Sequence, residues 1–348
     1  MTSTILKKDI DKNYPELNII KIKRLKSAGM MNNIFIARNH SNKYIIKVYK
    51  RNNIKKIISE HKLLALIGAL APENISYINN TSNKTYTFSN KLKNYFGIYK
   101  YTEGESLNQP QKVSLRQISK IANTLQKFQT LLGDVKNINK EVIHRNVDEE
   151  FRNNVKNLKR VVKVLKNKKK LNSKEKIIQE VLLKKLKSIS ENDINNIKFI
   201  SQSSAGIIHG DFAPPNLIFN KNDIKRVLDW ENSCIYNYVW EIFRSICYCS
   251  NENPLGIICS KLSERKISIF LKSYFSNGNI LKKGDIKSLK LMPKYYYFLD
   301  PYIITSYCLQ RNKLAGDLIS TKIDDHFWLE NYQERFINLV NKYAKRKK

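Results

Sequence analysis

The chain has 348 residues, with 63 Lys and Arg against 30 Asp and Glu, which gives a formal net charge of +33. A hydrophobic content of 42%, with 19 Tyr and 14 Phe, supplies enough apolar bulk for real cores and excludes disorder as the main state. The longest apolar run, Leu63–Ala71, is well short of the roughly 20 residues that cross a bilayer, which argues against a membrane span.

The lysine excess accompanies abundant Asn and Ile along the whole chain, which indicates a compositional bias rather than a nucleic-acid-binding surface. Charge is concentrated only in Lys156–Lys187 and Lys342–Lys348, which we interpret as solvated helix faces and a frayed terminus. The cysteines are odd in number, and residues 1–17 hold no apolar segment of a secretion signal. These features predict a cytoplasmic protein with reduced thiols and no membrane or nucleic-acid partner.

The first hundred residues predict short strands with one helix among them. β-Branched and aromatic runs bounded by turn-forming residues mark the strands, which are Ile34–Ala37, Tyr44–Tyr49, Thr85–Phe88 and Tyr95–Tyr101. Apolar residues at helical spacing predict a helix over Ile54–Leu70, ending near Pro72. We therefore expect a small twisted sheet carrying one helix over residues 1–102.

The pattern changes after Glu103, where helical periodicity takes over. Ser114–Leu132 carries one apolar stripe typical of an amphipathic helix, and helices continue through residues 150–190 and again from Tyr238 to the end. The fold class is thus α+β, with a β-rich N-terminal lobe (1–102) and a larger helical lobe (103–348). A turn-rich strip at 206–233 interrupts the helices.

The strip at 206–233 carries the chemistry. Two short apolar strands, 217–219 and 226–228, form a hairpin with Asp211 and Asn216 in the loop before it and Asp229 at its far end. These side chains can therefore converge, one carboxylate orienting a hydroxyl proton while an amide oxygen and the other carboxylate hold Mg²⁺. The alternative is a plain polar loop in which Asn216 and Asp229 only cap turns.

His209-Gly210-Asp211, with Asn216 five residues after Asp211, an apolar strand and Asp229-Trp230-Glu231, resembles the catalytic segment of the protein-kinase-like superfamily. In detail it is similar to the aminoglycoside phosphotransferase and choline kinase branch. That resemblance implies a protein-kinase-like two-lobe fold, Asp211 as the catalytic base, Asn216 and Asp229 as magnesium ligands, and His209 as a brace for the loop.

The resemblance also requires a strand lysine for the nucleotide phosphates and a helix carboxylate to hold it. Lys47 ends an apolar run, and Glu60 follows 13 positions later on the predicted helix. An inward-facing lysine in an apolar strand is costly unless it is paired, and Glu60 is its natural partner. A lysine at the edge of the sheet, extending into solvent, is the alternative for Lys47 alone.

The nucleotide loop departs from the family pattern, because residues 27–33 hold a single glycine. Backbone N–H groups with Ser27 and Gly29, and less strongly Asn33, are the predicted phosphate contacts, and a plain hairpin without a phosphate role is the alternative. Residues 99–107 resemble the hinge whose main chain meets the nucleobase. Main-chain contacts leave ATP and GTP both open, with ATP the default.

The sequence therefore predicts an ATP- and Mg²⁺-dependent phosphotransferase acting on a hydroxyl group of a small molecule, such as choline, homoserine, a sugar-like metabolite or an aminoglycoside. The alternative is a catalytically inactive kinase-like binding or scaffold protein, disfavoured because Lys47, Glu60, Asp211, Asn216 and Asp229 are all present. A protein kinase is disfavoured by the long stretch before the catalytic loop and by the lack of an Ala-Pro-Glu element.

The acceptor site should lie in the helical lobe. Aromatic and acidic candidates for its walls are Tyr295, Tyr296, Tyr297, Asp300 and Tyr302. Residues that only pack helices together would show the same pattern and are the alternative. Because the net charge of +33 repels polycations, it favours a neutral, zwitterionic or anionic acceptor over an aminoglycoside. We interpret Glu241 and Arg244, which follow the strip, as structural supports.

Overall fold

A computed structural model describes residues 2–25, 32–70, 77–107, 112–133, 142–252, 262–276, 278 and 280–344. The chain folds into two units, an N-terminal unit of Met1–Gly104 and a C-terminal unit of Glu105–Lys348. In the described part of the chain, no helix is both long and apolar enough to cross a membrane.

The N-terminal unit is built on an antiparallel sheet with the strand order β1-β2-β3-β6-β4, in which β5 also pairs with β6. Its strands are β1 (Lys21–Arg24), β2 (Asn32–Arg38), β3 (Lys43–Tyr49), β4 (Tyr77–Ile78), β5 (Thr87–Ser89) and β6 (Asn94–Lys100). The predicted β2–β3 hairpin is confirmed, and its turn forms because Asn39 Oδ1 accepts hydrogen bonds from the N–H groups of Ser41 and Asn42 at 2.9 and 2.7 Å. The strand predicted at Thr85–Phe88 begins two residues later.

The two faces of this sheet are covered differently. One face buries an apolar core with the first helix, α1 (Thr2–Asn13); the core residues are Leu6, Ile10, Tyr14, Leu17, Ile19, Phe35, Ala37, Tyr44, Ile46, Val48, Phe96 and Ile98. Lys47 belongs to the opposite face, because side chains alternate along a strand. The predicted helix is α2 (Ile54–Leu70), as expected.

Helix α1 is absent from the sequence-based prediction. Its buried residues Leu6 and Ile10 are four positions apart and continue to Tyr14, but six of the helix's twelve residues are charged or amide side chains that lie between these positions, so the stripe is narrow. Ser89 Oγ donates to Asp9 Oδ2 at 2.5 Å, which ties the helix to β5.

The C-terminal unit is mainly helical. Its helices are α3 (Leu115–Gly133), α4 (Val147–Lys166), α5 (Ser173–Lys187), α6 (Glu191–Ser201), α7 (Tyr238–Ser250), α8 (Glu264–Ser276), α9 (Lys283–Leu299), α10 (Tyr302–Gln310) and α11 (Lys313–Ala344). The predicted apolar stripe of α3 is confirmed as buried, and its Phe128 packs edge-on against Trp230, with ring centroids 5.4 Å apart. Helix α3 therefore packs against the strip at 206–233 through the contact between Phe128 and Trp230.

Two small antiparallel sheets hold that strip. Their strands are β7 (Glu105–Ser106), β8 (Ala205–Ile208), β9 (Leu217–Asn220), β10 (Asp223–Val227) and β11 (Cys234–Asn237). β10, β9 and β7 form one sheet, and β11 pairs with β8 in the other. The predicted hairpin is the β9–β10 pair, and β8 delivers the chain directly into His209-Gly210-Asp211.

Candidate active site

His209 is the buried brace of the loop after β8. Its Nε2 lies 2.7 Å from the carbonyl oxygen of Leu228, which can only accept, so Nε2 carries the proton. Nδ1 then accepts from the backbone N–H of Asp211 at 3.2 Å. Trp230 packs on the imidazole ring, with centroids 4.6 Å apart. The histidine is thus a neutral link between two segments of the strip.

Asp211 and Asn216 are in direct contact. The amide Nδ2 of Asn216 donates to both the backbone oxygen and Oδ2 of Asp211, each at 2.9 Å. The turn at Pro214–Asn216 brings the two residues together, with the N–H of Asn216 bonded to the oxygen of Ala213. Because the nitrogen of the amide is committed to Asp211, its oxygen is the atom that can ligate a cation.

Asp229 lies beside Asp211 and Asn216 because the preceding residue, Leu228, bonds to Asn216. The backbone N–H of Leu228 donates to the backbone oxygen of Asn216 at 2.8 Å, so the chain at 228–229 runs next to Asn216. Asp229 itself is exposed and has left-handed backbone angles, φ 58° and ψ 60°. Asp tolerates this region better than most residues, and such conformations concentrate at functional sites.

A buried carboxylate supports the loop from underneath. Glu241, in the first turn of α7, accepts from the N–H of Gly210 at 2.8 Å and from Gln129 Nε2 at 3.1 Å. Burial raises the pKa of Glu241 to about 7, although the hydrogen bonds from Gly210 and Gln129 oppose the shift. The sequence-based interpretation of Glu241 as a structural support agrees with these contacts.

In the N-terminal unit, Lys47 and Glu60 form a buried ion pair. Lys47 Nζ lies 3.0 Å from Glu60 Oε1, and the two side chains are 8% and 4% exposed. Tyr49, two positions along the same face of β3, donates from its hydroxyl to Glu60 Oε2 at 3.3 Å. The strand lysine and the helix carboxylate that the sequence predicts to pair therefore form an ion pair in the structure.

Behind this pair lies a hydrogen-bonded cluster that the sequence did not indicate. Tyr49 Oη is 2.9 Å from His61 Nε2 and 2.8 Å from Tyr99 Oη, and His61 Nδ1 is 2.5 Å from Thr85 Oγ1. Burial, with the nearby Lys47 charge, lowers the pKa of His61 to about 3, so its imidazole is neutral. The cluster fixes the hydroxyl that contacts Glu60.

The sheet face that carries Lys47 also holds a cavity of about 330 Å³. Its lining is cationic and apolar, from Lys21, Lys23, Leu25, Ile36, Arg38, Lys43 and Tyr101. The register places Ile36 opposite Ile45, two positions before Lys47, so the cavity and the lysine share one face. Tyr101, in the predicted hinge, donates its backbone N–H to the oxygen of Lys43 at 3.2 Å.

The model of the phosphotransferase enzyme family (APH) matches residues 22–256. The chain belongs to the phosphotransferase enzyme family. It is a small-molecule phosphotransferase, and the match covers both the paired lysine and the strip at 206–233. No curated protein sequence matches the chain.

Solved structures similar to this phosphotransferase cover nearly the whole chain. Spectinomycin phosphotransferase APH(9)-Ia, in complex with ADP and spectinomycin, is 12% identical, with a TM-score of 0.62 over 99% of both chains. An aminoglycoside phosphotransferase from Alicyclobacillus acidocaldarius is 12% identical, with a TM-score of 0.64 over 94% of each. Amicoumacin kinase hAmiN, in complex with AMP-PNP, Ca²⁺ and Ami, is 15% identical, with a TM-score of 0.59 over 94% of each. The predicted kinase-like two-lobe fold is thereby confirmed.

The predicted phosphate loop of the phosphotransferase is described only in part. Ser27 and Gly29 lie outside the described residues. Asn33 is described, and its Oδ1 accepts from Arg24 Nη2 at 2.8 Å, which links β1 and β2.

The predicted acceptor-site residues of the phosphotransferase separate into two groups. Tyr295 and Tyr297 are buried in the interior of the C-terminal unit, where Tyr295 donates to Asp193 Oδ1 at 2.7 Å, so we reassign them to packing. Tyr302 is 41% exposed. Tyr296 and Asp300 instead contact Arg244, as described below. Helical spacing alone could not separate these residues, because packing tyrosines and site tyrosines recur at the same intervals.

Proposed function

We propose that the protein transfers the γ-phosphoryl group of ATP, with Mg²⁺, to a hydroxyl group of a small molecule. The observation that carries the proposal is the Asp211 carboxylate held by Asn216, with Asp229 following the residue bonded to Asn216. A fixed carboxylate beside an amide oxygen and a second carboxylate suits phosphoryl transfer, in which catalysis rests on positioning and charge stabilisation.

Asp211 is the proposed catalytic base. The acceptor hydroxyl gives its proton to a carboxylate oxygen of Asp211 while its own oxygen forms a bond to the γ-phosphorus. The bond from that phosphorus to the bridging oxygen breaks, and ADP leaves with the electron pair. His209 supports this role, because its bond to the N–H of Asp211 fixes the backbone that presents the carboxylate.

Asn216 and Asp229 are the proposed magnesium ligands. One amide oxygen and one carboxylate are the hard donors that Mg²⁺ prefers. Within the described ranges no group of three or more His, Cys, Asp or Glu side chains could hold a metal, so the rest of the shell would come from phosphate oxygens and water. When bound, the ion would neutralise charge on the phosphates.

Lys47 is the proposed phosphate contact of the N-terminal unit, and Glu60 keeps its side chain in place. The half-buried Ile36 and Ile45 on the same face offer an apolar surface for a nucleobase. APH(9)-Ia and hAmiN are solved with ADP and with AMP-PNP, which supports an adenine nucleotide for this chain as well.

Aminoglycosides and related hydroxylated compounds, or choline, homoserine and sugar-like metabolites, are the proposed acceptors. The test incubates the protein with Mg-ATP and a panel of these compounds, including spectinomycin and kanamycin, and follows ADP together with phosphorylated product. We expect one class to be phosphorylated, with loss of transfer when EDTA removes the metal. Nucleotide binding without transfer to any acceptor would instead favour a catalytically inactive kinase-like binding protein.

A further inference from the structure

Arg244 lies on α7 one turn after Glu241 and contacts the proposed catalytic base. Its Nη2 donates to Asp211 Oδ1 at 3.0 Å, and its Nη1 donates to Asp300 Oδ2 at 3.0 Å. The Arg244 side chain is 15% exposed. A single guanidinium therefore joins two carboxylates that are 89 positions apart in the chain.

Aromatic residues hold this guanidinium in a fixed orientation. Nη2 also bonds the hydroxyl of Tyr248 at 3.0 Å, and Nη1 bonds that of Tyr296 at 3.3 Å. The guanidinium carbon lies 5.3 Å from the ring centre of Trp240 and 4.9 Å from that of Tyr248. The planar fork of an arginine suits such a site, where a lysine would offer only a point charge.

Both oxygens of the Asp211 carboxylate therefore accept a hydrogen bond from the protein. Oδ2 accepts from Asn216 and Oδ1 accepts from Arg244. Rotation of the carboxylate is fixed, while each oxygen keeps a lone pair for an acceptor hydroxyl. The two carboxylates that contact Arg244, Asp211 and Asp300, are therefore already bonded to a positive charge of the protein.

We propose that Arg244 is the positioning residue of Asp211. We also propose that its guanidinium occupies the position beside Asp211 and Asp300 where an ammonium group of the acceptor would otherwise bind. The inference rests on the proposed function and narrows its substrate class. An acceptor with an ammonium group next to the reacting hydroxyl would meet the Arg244 charge and find Asp211 and Asp300 occupied. The acceptor is therefore a hydroxyl compound without a cationic group beside that hydroxyl.

The first test is rescue of Arg244→Ala by guanidinium, with urea as the neutral compound of similar shape. A misplaced base costs about 10²-fold in turnover, so we expect that loss in kcat with little change in KM for ATP. Guanidinium at tens of millimolar should raise the kcat of Arg244→Ala by at least about tenfold, and urea should not raise it. Asp300→Asn should lower kcat less. Arg152→Ala is the control, because Arg152 pairs with Asp148 on the exposed side of α4.

A second measurement, of the Tm of Arg244→Ala, does not depend on turnover. Guanidinium that binds the folded variant between the two carboxylates raises the Tm of Arg244→Ala relative to urea, and leaves the wild type and Arg152→Ala unchanged. This arm tests the guanidinium site even if no acceptor is phosphorylated, in which case the proposed function fails separately.

The second test compares acceptors that differ by one amino group: glucose with glucosamine, and glycerol with 3-amino-1,2-propanediol, with kanamycin added. In the wild type we expect the uncharged member to have a kcat/KM at least about tenfold higher, and in Arg244→Ala that preference should shrink. Highest kcat/KM for kanamycin in the wild type, or turnover of Arg244→Ala at the wild-type rate without guanidinium, would overturn the inference while leaving phosphotransfer in place.

Discussion

Glu241 accepts a hydrogen bond from the backbone N–H of Gly210 across 2.8 Å, so a buried carboxylate supports the residue next to the proposed base. Its second oxygen accepts from Gln129, which is held in turn by the hydroxyl of Tyr274 at 2.6 Å. The loop geometry therefore depends on a chain of buried polar groups on α7, α3 and α8. Removing one member leaves the others unpaired in the interior.

Glu241 makes stability depend on pH. Burial raises its pKa to about 7 in the folded state, from 4.5 in the unfolded chain. The folded protein binds this proton more tightly, so the stabilisation is complete below about pH 4.5 and is lost as pH rises through 7. In urea denaturation, the wild type minus Glu241→Gln should show a free-energy difference that falls over this interval and is flat above it. The exposed Glu180→Gln is the control, and equal pH profiles for wild type and Glu241→Gln would contradict the assignment.

Gly210→Ala should destabilise the protein strongly. Gly210 has φ +79°, and an added Cβ would lie 2.2 Å from the backbone oxygen of Asn232. Strain and clash together predict a loss of about 2–4 kcal/mol in the free energy of unfolding. Gly278→Ala separates the two effects, because Gly278 has φ +105° with nothing within 4 Å. We expect a smaller loss there, and similar losses at both positions would show that the contact with Asn232 does not matter.

The Lys47–Glu60 pair should show strong coupling in a double-mutant cycle. Lys47→Met or Glu60→Gln alone leaves one buried group without its ionic partner, at a cost of about 3–5 kcal/mol. The double variant should lose less than the sum of the two, as measured by urea denaturation. The exposed Lys43–Glu103 pair is the matched control and should show no measurable coupling. Additive losses at Lys47 and Glu60 would mean that the pair is not an energetic unit.

The parts of the site that lie close together in sequence could be predicted. The spacing of His209, Asp211 and Asn216, followed by a hairpin and Asp229, defines a local geometry, and the strip folds accordingly. Lys47 and Glu60 could be paired because a buried charge in a strand needs a partner on the next element.

The contacts between distant residues could not be predicted. Arg244 meets Asp300 through the packing of α7 against the end of α9, and nothing in the local pattern near either residue indicates the partner. The one available signal was that Arg244 follows Glu241 by three positions and so shares its helix face. The contact between Tyr49 and His61 could not be predicted either, because a buried polar cluster produces no periodic pattern in the sequence.

Asp229→Ala should abolish the magnesium-dependent tightening of nucleotide binding. Asp229 is the only carboxylate proposed as a ligand, so its loss removes the charge that attracts the ion. Titration calorimetry of ATP with and without Mg²⁺ measures the effect, and binding in the absence of metal should change little. Asp223→Ala, on the same hairpin and paired with the exposed Lys120, is the control. An unchanged magnesium effect in Asp229→Ala would place the metal elsewhere.

The central claim is tested most directly by phosphoryl transfer from Mg-ATP in Asp211→Asn, with the best acceptor of the wild type. The amide keeps the shape of the carboxylate but cannot take the proton of the acceptor hydroxyl, and loss of such a base lowers kcat by roughly 10²–10⁴-fold. We expect that loss, with ATP binding close to that of the wild type and a lower Tm, because Arg244 loses one of its two ionic partners. Transfer by Asp211→Asn at the wild-type rate would contradict the account, because Asp211 would then not be the base.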